Sequence, residues 1–368
     1  MLKNDNNKKH IVIVGKGGGG GGTQVQSDWA QTDDTQPDYI KNKPEILDNT
    51  WFGTQAEFDA LSIKDPDIIY YIEDTSGIPD YFYIEDISGS DNTLSIVKNN
   101  TDAPTIEVFK STDGTNWESM GTTDTTAITA TIPANGKLYL KATANAWGVI
   151  SDSWGELSDY NMMICNNYHN VGGNIMSLIY SDNFENQTEF PNDSSANFAK
   201  LFYHNTKLIS AFKLILPVMK MQISSYREMF SDCTSLIQAP ALPATTLNNS
   251  CYRGMFNGCT GLTTTPALPA TTVGYSSYRQ MFQNCTALTT APVLQATTLL
   301  SNGCYSDMFR NCSSLNSVTT YATSVTTSQL GNWLKDVSST GDFYNLGGAT
   351  YEIGISGIPS GWTEHTSL

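Results

Sequence analysis

The stretch Tyr226-Arg-Glu-Met-Phe-Ser-Asp-Cys233 decides the fold, because it recurs along the chain. Two copies follow at intervals of 26 residues and a third after 27 more: Tyr252-Arg-Gly-Met-Phe-Asn-Gly-Cys259, Tyr278-Arg-Gln-Met-Phe-Gln-Asn-Cys285 and Tyr305-Ser-Asp-Met-Phe-Arg-Asn-Cys312. A degenerate copy lies upstream, at Leu201–Leu208. A fixed period of this size is typical of solenoids, in which each repeat contacts only its neighbours.

The apolar residues of one copy have helical spacing. Tyr226, Met229, Phe230 and Cys233 fall at i, i+3, i+4 and i+7, which is one stripe of a short helix. The segment Ala239–Leu247 follows, and its two prolines exclude a helix while its threonines favour an extended chain. Each copy is therefore predicted to form a helix, a turn and a short strand.

A single copy is too small to fold alone. Burying four apolar side chains contributes roughly 6–12 kcal/mol, whereas ordering a copy costs on the order of 25–50 kcal/mol of backbone entropy. Stacked copies share their apolar faces, so the array is stable where one copy is not. The predicted solenoid core consists of Tyr226, Met229, Phe230, Cys233, Tyr252, Met255, Phe256, Cys259, Tyr278, Met281, Phe282, Cys285, Met308, Phe309 and Cys312.

These repeats resemble the BspA-like leucine-rich repeats of Bacteroidales surface proteins, with their "MF..C..L" core and "LPATT" strand. The resemblance covers residues 198–363, and the segments 331–335 and 357–362 are similar to the usual terminus of such arrays. It implies a leucine-rich-repeat solenoid but says little about function, since the same repeat occurs in proteins from many sources.

The repeat cysteines are predicted to form a column of small buried hydrophobic side chains. A disulfide or metal ladder is the alternative. Neighbouring helices pack about 8–10 Å apart, which exceeds the roughly 7 Å between Cα atoms that a disulfide tolerates. The chain holds seven cysteines, an odd number, and has no CxxC, so neither a disulfide framework nor a zinc site is indicated.

Composition narrows the class of protein. The 368 residues favour two to four domains. Only 15% are charged and the net charge is -16, which argues against binding to nucleic acid. No apolar run approaches the roughly 18 residues of a membrane span, and Ile11–Val14 is too short for the core of a signal peptide. We therefore expect neither membrane insertion nor Sec export.

Six consecutive glycines, Gly17–Gly22, follow the apolar run near the N-terminus. Gly15, Gly17 and Gly20 satisfy G-x-G-x-x-G, but the match is trivial in a glycine run and no helical pattern follows. A flexible tether is the better interpretation, and six glycines span about 13 Å root-mean-square.

The segment 25–44 places Trp29, Tyr39 and Ile40 among turn-forming polar residues without helical or strand periodicity. So short a segment cannot bury a tryptophan alone, and copies of the same chain are the simplest partners. An ordinary loop that caps the next domain is the alternative.

The wording "W.QTD...PDYIKNKP" resembles a segment near the N-terminus of phage virion appendages, such as the head fibres of crAss-like phages. The resemblance implies a homotrimer, or attachment to the major capsid protein, through Trp29, Pro37, Asp38, Tyr39, Ile40, Asn42 and Pro44.

Between this segment and the repeats, two modules are predicted. Trp51–Leu61 should form a short helix and Asp67–Asp74 a strand that Tyr81–Asp86 duplicates, in a pattern that resembles a small phage-fibre module. Four strands with hairpin-type turns follow and predict a β-sandwich: Thr93–Val97, Thr105–Phe109, Ala127–Ile132 and Lys137–Ala142. Gly172–Tyr180 is predicted to open the solenoid.

The predicted fold class is thus multi-domain, and it ends in a BspA-like leucine-rich-repeat solenoid. The predicted domains are an anchor and glycine tether (1–23), a trimerisation or capsid-attachment segment (24–50), a small α+β module (51–90), a β-sandwich (91–155), the solenoid (156–346) and a C-terminal cap (347–368).

No catalytic constellation emerges from the sequence. The four histidines lack metal-ligand partners at i+4, and no G-x-S-x-G occurs. Acidic pairs such as Glu85-Asp86 lack the regularly spaced oxygens that calcium needs. Glu73 and Glu85 could be a glycosidase pair, but both lie in the repeated phrase "YIED", which favours duplication. We expect no enzyme activity, cofactor or metal.

Two functions compete. The first is a trimeric phage head fibre on the capsid surface of the virion, which is anchored by its N-terminus and displays the solenoid to a host surface protein or glycan; a tail fibre is a variant of it. The second is a bacterial BspA-like adhesin, which requires export. The phage-like wording of residues 25–44 and the absence of a recognisable signal peptide favour the first.

Overall fold

The computed structural model describes residues 10–14, 50–54, 69–73, 80–124, 126–150, 157, 159–191, 195–300 and 302–367. It is rich in β-structure, with several sheets and almost no helix in the described residues. The chain divides into two compact units, Met1–Ile78 and Pro79–Leu368, which are described separately.

The first unit contains one three-stranded sheet. Its central strand is antiparallel to one neighbour and parallel to the other, with the strands β1 His10–Val14, β2 Thr50–Thr54 and β3 Ile69–Glu73. The strand prediction at Asp67–Asp74 is confirmed by β3. The helix prediction is wrong at residues 51–54, where Trp51, Phe52 and Thr54 favour a strand, and its remainder lies outside the described residues.

The second unit begins with a six-stranded sheet and a four-stranded sheet. The first has the order β13-β12-β4-β9-β6-β7 and the second β10-β11-β5-β8. The bounds are β4 Tyr83–Asp86, β5 Asn92–Lys98, β6 Glu107–Ser111, β7 Glu118–Thr122, β8 Ile128–Ile132, β9 Lys137–Ala142, β10 Gly148–Val149, β11 Asp159–Cys165, β12 His169–Asn174 and β13 Leu208–Ile215.

All four strands predicted between residues 93 and 142 are confirmed, as β5, β6, β8 and β9. The sheets nevertheless continue past the boundaries expected after residues 90 and 155. Strand β4 precedes the first boundary, and β11 to β13 follow the second. The sheets cross these boundaries because a single core of buried hydrophobic side chains extends from Tyr81 to Trp362.

Gly172–Tyr180 was expected to open the repeats. It instead completes β12 and then forms a one-turn helix, α1 Ser177–Tyr180, followed by the 3₁₀ helix Ser181–Asn183. The Ser177 hydroxyl fixes this turn, because it donates to the carbonyl of Leu140 and accepts the amide of Phe82, both in or beside the six-stranded sheet.

The repeats stack directly on one another; residues 195–338 are called the repeat stack. The predicted helix at Tyr226–Cys233 is wrong, because every fourth residue, Ser224, Glu228 and Asp232, has a positive φ of 54–60°. L-residues adopt this conformation singly but not in helical succession. The segment is therefore a ribbon of tight turns.

Hydrogen bonds explain why the ribbon replaces a helix. The amides of Glu228 and Phe230 donate to the carbonyls of Arg253 and Met255 in the next repeat, at 2.8 and 2.9 Å. The intervening amide of Met229 donates back three residues, to Tyr226. Alternate amides thus join neighbouring repeats while the others close the turns, so the buried backbone is satisfied without i→i−4 bonds.

The extended segments also stack in parallel. They form the two-residue strands β14 Thr272–Val273 and β15 Thr298–Leu299, and the equivalent Thr246 bridges Lys220. Beyond them, a parallel three-stranded sheet ends the unit, with β16 Ser317–Thr320, β17 Gly341–Asn345 and β18 Trp362–His365.

Candidate binding surface and attachment segment

Two columns of aromatic rings run along the interior of the repeat stack. In the tyrosine column, Tyr226, Tyr252 and Tyr278 have ring centroids 6.0 Å apart. In the phenylalanine column, Phe230–Phe256 and Phe256–Phe282 are separated by 5.5 and 5.6 Å, with interplanar angles of 6° and 9°. All fifteen residues assigned to the core from the sequence are buried, so the repeats share one interior.

The repeat cysteines form a third buried column. The thiols of Cys233, Cys259 and Cys285 donate to the carbonyls of Phe202, Phe230 and Phe256 in the preceding repeat, at 3.0–3.1 Å. Burial raises the pKa of each of these thiols above its ordinary value. A thiol held protonated is a poor nucleophile and a poor metal ligand, so the column is structural.

The outer surface of the extended segments is made largely of small side chains. It is called the strand face and is formed by the exposed residues Ala241, Thr245, Ala267, Thr271, Val293 and Thr297. A shallow groove of about 560 Å³ crosses it between Pro266 and Pro292. Sequence reasoning assigned ligand contact to the solenoid without naming these positions, although their recurrence at the 26-residue period was the available signal.

Charge sets the repeat stack apart from the rest of the chain. No acidic residue occurs between Asp232 and Asp307, and the only basic residues there are Arg253 and Arg279. Residues 195–300 hold seven basic and two acidic residues, in a chain of net charge -16. An anionic ligand is therefore repelled less here than elsewhere on the molecule.

A charged cluster joins the end of α1 to the six-stranded sheet. The Lys141 ammonium contacts Asp182 at 2.7 and 2.9 Å and lies 4.3 Å from the Trp117 ring centroid. The Tyr81 hydroxyl also donates to Asp182. Burial and the hydrogen bond to Asp182 raise the pKa of Tyr81, so this phenol is no base, and the cluster holds the two elements together.

Two buried polar residues are satisfied within the fold. The Asp86 carboxylate accepts hydrogen bonds from Ser88, Gly89, Asn92 and Asn135 at 2.7–3.3 Å. Although burial opposes ionisation, these donors lower the pKa of Asp86. Its oxygens are thus used by the protein itself rather than offered to calcium.

The second is His169, whose Nδ1 contacts the carbonyl of Asn167 at 2.9 Å and whose Nε2 contacts the Asn205 side chain at 3.1 Å. Burial lowers the pKa of His169 to about 4. The ring is neutral near pH 7 and connects the six-stranded sheet to the first repeat. His204, by contrast, is exposed and lies 3.5 Å from Asp232.

No group of three or more His, Cys, Asp or Glu side chains that could hold a metal ion occurs in the described residues. Glu85 lies on β4, opposite Lys137 of β9. Its hypothetical glycosidase partner, Glu73, belongs to the other compact unit, so no carboxylate pair is described.

The attachment residues predicted from the sequence lie outside the described residues: Trp29, Pro37, Asp38, Tyr39, Ile40, Asn42 and Pro44. Among the helices that the structure does describe, none has the length and apolar character of a membrane span.

The fold defines a β-rich protein of several sheets, with a stack of repeats. Residues 48–73 match the family model of a phage tail tip domain. No curated protein matches the chain, and no solved structure matches it either. The matched segment includes β2 and β3 and supports a virion-associated structural protein of a phage.

Proposed function

We propose that this chain is a fibre-type appendage protein of a phage virion. The similarity of residues 48–73 to a phage tail tip domain carries the proposal. The N-terminal segment that resembles appendage proteins, residues 25–44, directly precedes this match. The attachment machinery would therefore occupy the front of the chain and the displayed surface the back.

The repeat stack is proposed to be a BspA-like leucine-rich-repeat solenoid. The 26-residue period, the inward tyrosine and phenylalanine columns and the parallel extended segments support this assignment. In this proposal the strand face contacts a host surface protein or glycan without catalysis, because its small alanine, threonine and valine side chains offer contact area rather than reactive groups.

Two sites on the virion are candidates for attachment. The tail tip match favours the tail, whereas the resemblance of residues 25–44 to head-fibre segments favours the major capsid protein. In either case the chain is proposed to assemble as a homotrimer through Trp29 and its neighbours, with Gly17–Gly22 as a tether that absorbs a mismatch of symmetry.

Immunogold labelling of virions tests the proposal. An antibody raised against residues 195–367 should label intact particles, and the position of the gold distinguishes head from tail. Particles that carry no label, while the same antibody detects the protein in infected cells, would contradict a virion function.

Light scattering tests the trimer separately. The purified chain should have three times the 40.2 kDa mass of one copy. Trp29→Ala should reduce the mass to that of one copy, while Trp333→Phe, a change inside the repeat stack, should leave the trimer intact. A native chain that is already monomeric refutes trimerisation without touching the labelling result.

A further inference from the structure

A cleft of about 260 Å³ opens where the six-stranded sheet meets the repeat stack. Strand β13 forms its centre, since it pairs with β12 on one side and bridges Gln238 of the following repeat on the other. Asn170, Ser210, Lys213 and Gln238 supply polar groups, and Ile87 and Phe212 supply apolar surface.

The polar groups of the cleft belong to a row that crosses the strands. Asn170 is paired with Glu85 and with Ser210, and Ser210 in turn with Gln238. The Ser210 hydroxyl donates to Oε1 of Gln238 at 2.9 Å, which leaves the Gln238 amide nitrogen as a donor. Oδ1 of Asn170 is buried and accepts no hydrogen bond from the described residues. Because a buried atom is out of reach of a ligand, the row offers one group to it, the donor of the exposed Gln238 amide.

Lys213 gives the cleft its charge. Its side chain is exposed and forms no ion pair with the described residues. Lys213 is paired with Gly172, two residues beyond Asn170 on β12. The nearby Glu85 lies opposite Lys137 in the strand register, and its carboxylate accepts a hydrogen bond from the Asn170 side chain at 3.4 Å. An exposed ammonium that forms no ion pair with the described residues is complementary to an anion.

The apolar wall limits what kind of anion fits. Ile87 is 42% exposed and Phe212 is half-buried, so both present carbon surface to the cleft. A sugar ring has a C–H face for such a surface, and its hydroxyls both donate and accept. The volume lies below the roughly 300–1,000 Å³ of sites for drug-sized ligands, so it suits one ring.

We propose that this cleft binds a carboxylate-bearing sugar residue of a surface polysaccharide, with the carboxylate on Lys213 and a hydroxyl on the Gln238 amide. The inference rests on the proposed function and names the ligand class. The polar row continues from Gln238 to Thr264 in the next repeat. Because no acidic residue occurs between Asp232 and Asp307, an anionic chain that leaves the cleft along the repeats meets no carboxylate of that segment.

Saturation-transfer NMR on the full chain tests the proposal with three probes: methyl glucuronide, methyl sialoside and the uncharged methyl glucoside. At least one acidic sugar should bind ten times more tightly than the glucoside, because only the acidic sugars make a charge-assisted bond with the lysine. Equal binding of all three, or binding of none, would overturn the proposal.

Two matched variants locate the binding. Lys213→Gln should weaken the acidic sugar about tenfold and leave the glucoside unchanged. Lys220→Gln removes another exposed lysine, one that does not line the cleft, and should change neither. Equal losses in both variants would indicate a non-specific effect of net charge and contradict the assigned site.

The two proposals fail in different ways. If virions are labelled but the chain shows no preference for acidic sugars, the appendage function is supported and the proposed binding of acidic sugars in the cleft is refuted. If the chain binds acidic sugars tightly but is absent from virions, the sugar site is supported and the appendage function is refuted.

Discussion

Residues 195–300 and residues 80–191 belong to one compact unit but differ in charge and in the sequence distance that their contacts span. The first segment holds seven basic and two acidic residues, the second four basic and fifteen acidic residues. In the repeats, stacked rings and hydrogen-bonded backbone amides join residues about 26 positions apart in the sequence. In the sheets, the Tyr81–Asp182 bond spans 101 residues.

The difference shows how each part obtains its stability. A repeat relies on its two neighbours, so its contacts are local and recur. The sheets also depend on pairings between strands far apart in the chain, such as β4 with β12, whose loop-closure entropy is larger.

The largest expected effect is on the phenylalanine column. Phe256→Ala removes a ring stacked between Phe230 and Phe282 and should lower the free energy of unfolding by about 3–5 kcal/mol, as measured by urea denaturation. Leu300→Ala is the control, because its side chain is 66% exposed and its effect should stay within about 0.5 kcal/mol.

Hydrogen exchange sharpens the same test. With Phe256→Ala, amides of the neighbouring repeats should exchange faster than those of β5 and β11, because repeats open locally. Uniform acceleration across both parts would show that the repeats and the sheets unfold as one.

The next effect is on the junction between the two parts. The pKa of His169 is about 4 in the fold and 6.5 ordinarily, so the unfolded chain binds the proton more strongly. His169 therefore does not reduce the free energy of unfolding above pH 6.5. As the pH falls from 6.5 toward 4, the free energy of unfolding decreases by on the order of 3 kcal/mol, because protonation favours the unfolded chain.

Urea denaturation at pH 7 and pH 5 measures this loss, with His169→Gln as the comparison. The variant should show a smaller loss between the two pH values, since its side chain does not titrate. A pH dependence identical to that of the unaltered chain would rule out His169 as the cause.

A smaller effect is expected at the charged cluster of the sheets. Lys141→Met should cost about 1–2 kcal/mol, because the Lys141 side chain is 11% exposed but that of Asp182 is 58% exposed and keeps contact with water. A double-mutant cycle with Asp182→Asn should give a positive coupling energy that falls as salt is added. Zero coupling would mean that the lysine acts only through its contact with Trp117.

The smallest effect is expected in the cysteine column. Cys259→Ala removes one buried sulfur and its bond to the carbonyl of Phe230, and should cost about 1 kcal/mol. Calorimetry measures the shift in melting temperature. A loss as large as that of Phe256→Ala would show that the thiols, rather than the rings, dominate the stack.

The sequence predicted which repeat residues face inward but not the backbone that carries them. The spacing of Tyr226 and Phe230 suits a helix, yet it also suits a ribbon in which every fourth residue has a positive φ. A second signal was present: Gly254, Gly258 and Asn284 are residues that tolerate this conformation, and they recur four apart or in register between repeats.

The candidate site was less predictable. The cleft combines Asn170, Ser210 and Gln238, which no local pattern connects and which only strand pairing brings together. The sheet boundaries were missed for the same reason, since β12 and β13 lie far along the chain from β4. The strands within residues 93–142 were predicted because their alternation and turns are local.

The direct bonding of one repeat to the next also bears on how such a chain evolves. Each repeat offers its successor the same rings, carbonyls and amides, so a duplicated unit finds a surface already shaped to receive it. Each repeat that is added or lost changes the length of the repeat stack by about the 5.5–6.0 Å that separates equivalent rings in successive repeats. Length is therefore a quantity that recombination adjusts in single steps, without a new core having to be invented.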